Sequence, residues 1–197
     1  MKNLSNVDIE QFLSRCQPNR VESRTIEYDG SHYAMPYSTV KIQDIVLGGL
    51  RENQKRISLL EKVIEDNSKS RDSYLDIGSN LGVFVRSYDH LFKNTTGVDA
   101  DQYYFEMCQF LYEDTNCKFV LANLNSHRLP EVLESSYDVI TALSMIEYIH
   151  DKQQFVEDLY NMTNEVCIIE GHSEDIKKKL DIEYENLLKT QSWKVER

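Results

Sequence analysis

Glycine and proline are scarce in this chain, at seven and three among 197 residues. Each one therefore marks a place where the backbone is asked to turn. No apolar run approaches about 18 residues, which removes a membrane-spanning helix, and no signal-type apolar region opens the chain. The cysteines, Cys16, Cys108, Cys117 and Cys167, include no Cys-x-x-Cys pair. A zinc site or a disulfide frame is thereby disfavoured, and reduced thiols in a cytoplasmic protein are expected. Basic residues are outnumbered, 22 against 33 acidic, for a formal charge of −11. Phosphate backbones are bound by clustered Lys and Arg, so nucleic acid is not an expected partner and a small-molecule ligand is. Tyrosine, by contrast, occurs twelve times, several of them in the first 40 residues. The length fits one domain with a small appendage and is enough to bury a core without covalent staples.

The appendage comes first. Residues 3–16 carry Val7, Ile9, Phe12, Leu13 and Cys16 at spacings that predict a short amphipathic helix, with Asn6 at its N-cap and Pro18 ending it. Thr25 to Met35 places Asp29-Gly30 between two Tyr-rich arms, a hairpin signal, and Pro36 closes the second arm. Ile42 to Leu50 is apolar and broken by Gly48-Gly49, which predicts a short helix or turn; Arg51 to Glu65 has helical spacing. From residue 72 onward strands and helices alternate. Strands are expected at 73–77, 95–99, 117–121, 137–143 and 165–170. Helices are expected at 81–92, 101–114, 151–162 and 173–189, with a short helical turn near 130–135. That alternation implies an α/β fold with a Rossmann-like, doubly wound and mostly parallel sheet. Residues 1–50 would form a helix-and-hairpin lid, and 51–197 the main domain.

The most informative stretch is Ser73-Tyr-Leu-Asp-Ile-Gly-Ser-Asn-Leu-Gly-Val-Phe84, a buried strand running through a glycine turn into a helix. About 20 residues after Gly78, Thr96-Gly-Val-Asp99 ends a second strand in a carboxylate, the span of one βαβ unit. A turn and an acid so placed hold nucleoside-like ligands. A dinucleotide fingerprint wants glycine at the second and third positions, where this chain has Asn80 and Val83, and no Gly-Lys-Ser/Thr follows to make a P-loop. The turn therefore suits a ligand without a pyrophosphate.

Leu75-Asp-Ile-Gly-Ser-Asn-Leu-Gly82 resembles motif I of the class I S-adenosylmethionine-dependent methyltransferases, in a variant with Asn at the middle glycine. Thr96-Gly-Val-Asp99 resembles their motif II, Val120-Leu-Ala-Asn-Leu124 sits where that family places a polar residue near the adenine, and Tyr137 to Ile149 resembles motif IV. Val166-Cys-Ile-Ile-Glu170 fits the fifth strand, so the resemblance covers about residues 70–170 in register. It implies S-adenosyl-L-methionine as cofactor and methyl transfer to a small-molecule, sugar or polysaccharide-type acceptor. Asp76, Gly78, Ser79, Asn80, Gly82, Asp99, Ala100, Asn123, Leu124 and Leu143 would bind the cofactor.

Strand C-terminal ends are where ligands of such sheets bind, which makes Glu147, His150 and His172 the candidate catalytic residues. His32, Tyr33, Tyr37 and Arg51 are candidate acceptor contacts, the tyrosines as aromatic walls with hydroxyls and the arginine for an anionic group; Arg56 flanks the same segment. Two alternatives stand beside this reading. A metal-dependent RNA ribose methyltransferase would use Glu147 and His150, but Ser144 and Tyr148 stand where that family has further ligands, so no metal site is expected. A non-catalytic partner would keep the fold as an interaction module. The family's usual sixth and seventh strands have room here for one short strand, near Trp193–Glu196. The sheet is then shortened, truncated, or completed by a second copy in a homodimer.

Overall fold

A computed structural model describes residues 6–16, 24–42, 45–113 and 115–171. The helix expected at 173–189, the strand near Trp193–Glu196 and His172 lie outside the described residues. The central element is a five-stranded, all-parallel sheet in the order β7-β6-β5-β8-β9. Its strands are β5 (Ser73–Ile77), β6 (Asn94–Asp99), β7 (Cys117–Leu121), β8 (Tyr137–Leu143) and β9 (Thr163–Glu170). These match the expected strands to within two residues at either end. All seven residues of β8 are buried, as are Tyr74 to Ile77 of β5, so neither strand shows the in-and-out alternation of a half-buried one. From β5 the chain winds through α3 (Val83–Tyr88), β6, α4 (Gln102–Leu111) and β7 on one side. It then returns by α5 (Leu129–Val132) to β8 on the other side of β5, and α6 (Lys152–Met162) leads to β9. The reversal at β5 opens a crevice at the C-terminal strand ends between β5 and β8.

Period-two alternation sorts the strand side chains onto two faces. Leu75 and Ile77 of β5 and Ile140 and Ala142 of β8 pack with Phe155, Leu159 and Met162 of α6. Tyr74, Val139 and Leu143 face the other way, against Leu60 and Ile64 of α2 (Gln54–Asn67) and Phe84 and Tyr88 of α3. Asp76 and Thr141 are register partners and point to this second face, where their neighbours are apolar.

The N-terminal part builds a third cluster. Ile9, Phe12 and Leu13 of α1 (Asn6–Arg15), with Cys16 just after it, pack with Leu81 and with Met107 of α4. The Asp29-Gly30 hairpin forms as expected, from β1 (Thr25–Tyr28) and β2 (Ser31–Ala34). The helix or turn expected over residues 42–50 does not form. Instead β3 (Val40–Ile42) and β4 (Ile45–Leu47) pair antiparallel. The reason is a two-residue alternation: paired Val40 and Leu47 are buried, while paired Lys41 and Val46 are exposed. Gly49 then passes so close to the Ser38 backbone that a Cβ would lie 2.1 Å from its carbonyl carbon. The Arg51 N–H donates to the Tyr37 carbonyl at 3.0 Å, and the Thr39 N–H donates to the Arg51 carbonyl at 2.9 Å. This side-by-side arrangement brings Tyr37, Ser38 and Arg51 together at the crevice.

Gly82 has φ +68°, and a Cβ there would lie 2.7 Å from the Phe119 ring of β7 and 2.9 Å from Tyr112. Replacing it by Ala combines left-handed strain with overpacking against two rings. Gly82→Ala is expected to lower stability by about 2 kcal/mol or more, read as a lower urea midpoint. An unchanged midpoint would contradict this account of the turn.

Candidate active site

The crevice holds a cavity of about 810 Å³. Its floor is the turn after β5, in which Gly78 (φ +74°), Asn80 (φ +49°) and Gly82 are all left-handed. The backbone groups of this turn are fixed from outside. The N–H groups of Gly78 and Ser79 both donate to the Val98 carbonyl, at 2.8 and 3.0 Å. The Asn80 N–H donates to Asp99 Oδ2 at 2.7 Å, and the Asp101 N–H to Asp99 Oδ1 at 2.9 Å. The Asn80 and Leu81 carbonyls accept from the Cys108 thiol and the Tyr112 hydroxyl, at 3.2 and 3.0 Å. Asn80 also accepts the Leu81 N–H on its own Oδ1 at 2.8 Å, a short-range bond that a glycine could not make. Gly97 lets the turn approach β6, since a Cβ there would lie 2.7 Å from Ser79 Oγ. Gly78 lets Met145 of the loop after β8 pack close to the turn, for a Cβ on it would meet Met145 Cβ at 3.1 Å.

Two carboxylates line the cavity in different surroundings. Asp99 is partly exposed and carries two backbone N–H donors; burial raises its pKa, and the amides of Asp101 and Asn80 pull it back. Each of its oxygens retains a further lone pair, so the group can still accept from a diol. Asp76 is only 2% exposed. Its Oδ1 accepts from the Thr141 hydroxyl at 2.8 Å, and that hydroxyl lies 2.6 Å from Tyr74 Oη. Burial raises its pKa from an ordinary 3.8 to about 7; Thr141 and the positive charge of Arg56 oppose the rise, and Asp99 adds to it.

Of the expected cofactor residues, Asp76, Gly78, Ser79, Asn80, Asp99, Ala100, Asn123, Leu124 and Leu143 all line the cavity. Gly82 sits behind the turn as a packing residue. Asn123 accepts the Asn125 N–H at 3.0 Å on its Oδ1, so it also shapes its own loop. Of the expected acceptor contacts, Tyr37 and Arg51 line the cavity, with the Arg51 guanidinium 5.1 Å from the Tyr37 ring centroid. His32 and Tyr33 do not. On the pleat of β2, Tyr33 turns into the N-terminal cluster and His32 turns to solvent. Glu147 and His150 do not line the cavity either. Their loop is tied to Asn125, which donates to the Tyr148 carbonyl and accepts the His150 N–H, both at 2.8 Å. Among the described residues no group of three His, Cys, Asp or Glu side chains is placed to hold a metal.

The structure adds Ser38 and Asn53, which the sequence did not single out, and shows what holds Arg56. Ser38 and Asn53 are buried polar wall residues joined by a 3.2 Å hydrogen bond. Arg56 of α2 donates to Glu170 at 3.0 Å and to Ser144 at 3.1 Å, binding α2 to the ends of β8 and β9. Tyr104, Met145 and Tyr148 complete the aromatic and apolar rim. Position alone gave a signal for Ser144 and Met145, which follow a strand end; nothing local marks Ser38 or Asn53.

Comparison with known proteins follows the same division. Residues 75–166 match a family model described as a methyltransferase domain. That stretch runs from β5 into β9 and contains the turn, Asp99 and the loop after β8. Solved structures resemble the chain in part. An S-adenosylmethionine-dependent methyltransferase from Clostridium acetobutylicum is 21% identical, with a TM-score of 0.49 over 58% of this chain and 48% of that one. The YcgJ protein of Bacillus subtilis is 20% identical, with a TM-score of 0.46 over 54% and 44%. An S-adenosylmethionine-dependent methyltransferase from Thiobacillus denitrificans, solved with S-adenosyl-L-homocysteine, is 16% identical, with a TM-score of 0.45 over 56% and 44%. The chain spans less than half the length of each of these three structures. No curated protein matches it. The family match agrees over residues 75–166 with the resemblance read from the sequence.

The raised pKa of Asp76 has a consequence for stability. Between about pH 4 and about pH 7 the folded chain keeps a proton on Asp76 that the unfolded chain has released. This group therefore makes stability fall as pH rises through that window, at up to about 1.4 kcal/mol per pH unit. In Asp76→Asn, the difference from wild type in unfolding free energy is expected to grow steadily from pH 4 to pH 7 in favour of the variant. Parallel pH profiles from urea titrations would contradict the assignment.

Proposed function

We propose that this chain is an S-adenosyl-L-methionine-dependent methyltransferase whose acceptor is a small molecule or a sugar-type compound. The observation that carries this reading is the left-handed turn held on Asp99 at the mouth of an open cavity, inside the matched segment. The residues fit the cofactor. Asp99 offers acceptor oxygens to the ribose hydroxyls, Asp76 offers a buried carboxylate to the amino group, and the Gly78–Ser79 turn faces the methionine part. Asn123 and Leu124 flank the adenine. Bound there, the cofactor supplies a methyl group on a sulfonium, already activated toward a nucleophile.

The chain's own task is then to orient the acceptor and keep water out. Residues 1–50 act as a cover, reaching the crevice through Tyr37 and fixed to α4 by the α1 cluster. The net charge of −11 favours a small acceptor over RNA. No helix among the described residues is long and apolar enough to cross a membrane, and a cytoplasmic setting fits the unpaired thiols.

Calorimetric titration with S-adenosyl-L-homocysteine tests the reading. Wild-type protein is expected to bind one equivalent, and Asp99→Ala to lose about tenfold or more in affinity. Folded wild-type protein that gives no heat and no rise in melting temperature at saturating ligand would overturn the proposal, and with it leave only a non-catalytic role.

A further inference from the structure

The cavity wall carries both signs of charge. Asp76, Asp99 and Asp101 line it, a set suited to a cationic, diol-bearing ligand. Arg51 and Arg56 line it too, in a chain whose acidic residues outnumber its basic ones by 33 to 22. The two arginines differ. Arg56 is committed: it is bound to Glu170 at 2.7 Å and to Ser144 at 3.1 Å, and it lies 5.6 Å from the centroid of the Phe84 ring. Arg51 is exposed, and among the described residues no carboxylate pairs with it. Its guanidinium lies over Tyr37, whose ring in turn meets Tyr104 at 6.4 Å. The backbone bonds between Tyr37 and Arg51 fix this stack in place.

A guanidinium beside an aromatic ring, 5.1 Å from its centroid, and without a carboxylate partner among the described residues keeps N–H donors for an anion. Arg56 is the cation whose charge acts on Asp76, and Arg51 is the second cation of the cavity wall. We propose that the acceptor is an anion, a small molecule bearing a carboxylate or phosphate group, and that Arg51, beside Tyr37, receives that group in the cavity. This rests on the methyltransferase reading above. Tyr148, 75% exposed at the rim, offers an apolar wall to the rest of such a molecule.

The test uses the full chain saturated with S-adenosyl-L-homocysteine. The probes are matched pairs: 4-hydroxybenzoate with 4-hydroxybenzamide, and glucose 6-phosphate with glucose, each titrated to about 10 mM. At least one anion is expected to bind about tenfold more tightly than its neutral counterpart, and which pair responds separates a carboxylate from a phosphate source. Arg51→Gln is expected to erase that preference and Arg51→Lys to retain part of it, both with unchanged affinity for S-adenosyl-L-homocysteine. Equal binding of anion and neutral partner, no binding by any probe, or an anion preference that survives Arg51→Gln would overturn the assignment. So would a fall in S-adenosyl-L-homocysteine affinity in Arg51→Gln, which would put the guanidinium on the cofactor's carboxylate instead. Failure of the wild type to bind S-adenosyl-L-homocysteine at all is a separate result, and it removes the methyltransferase reading itself.

Discussion

The carboxylate of Asp99 is the constraint on which the rest of the site depends. It ends β6 and accepts the N–H of Asn80 on one oxygen and that of Asp101 on the other. One side chain thus ties the turn after β5 to the start of α4. The bonds around it complete the restraint: Val98 takes the two preceding N–H groups, and Cys108 and Tyr112 take the two following carbonyls. A turn with three left-handed residues is costly by itself and persists where its surroundings fix it on every side. Here the fixing groups come from the neighbouring strand and helix, so the turn is held by the chain's own bonds. Affinity gained there is not spent on ordering the loop.

The second organising feature is the contrast between the two cavity carboxylates. Asp99 keeps backbone amides and solvent, whereas Asp76 is buried at the cavity wall with Thr141 and Tyr74. Desolvation dominates at Asp76 and makes it sensitive to any positive charge brought into the crevice. Arg56, held by Glu170 and Ser144, already supplies part of that charge and joins α2 to the ends of β8 and β9. The sheet edge and the N-terminal segment are therefore connected through the same polar cluster that borders the cavity.

Much of this was legible in the sequence because the strands are short, apolar and punctuated. β5, β7 and β8 fall at the expected residues, and Gly78, Asn80 and Asp99 occupy the expected turn and strand end. What escaped were features set by register between distant segments. The β3–β4 pair was hidden by Gly48-Gly49, whose role is to let the chain pass Ser38 rather than to break a helix. Ser38 and Asn53 meet at the cavity wall where the 36–39 and 49–51 segments lie side by side. Conversely, nearness in sequence misled at β2 and after β8. Tyr33 faces a core four residues away from cavity-lining Tyr37, and Glu147 and His150 lie off the cavity although Met145 and Tyr148 of the same loop line it.

The central claim is that the Asp99-held turn is a preformed nucleoside seat. A crystal structure with S-adenosyl-L-homocysteine tests it most directly. The account predicts both ribose hydroxyls within hydrogen-bond distance of the Asp99 carboxylate, with Asn80 still left-handed and its N–H still on Oδ2. A nucleoside bound elsewhere, or a turn rebuilt so that Asn80 leaves Asp99, would contradict it.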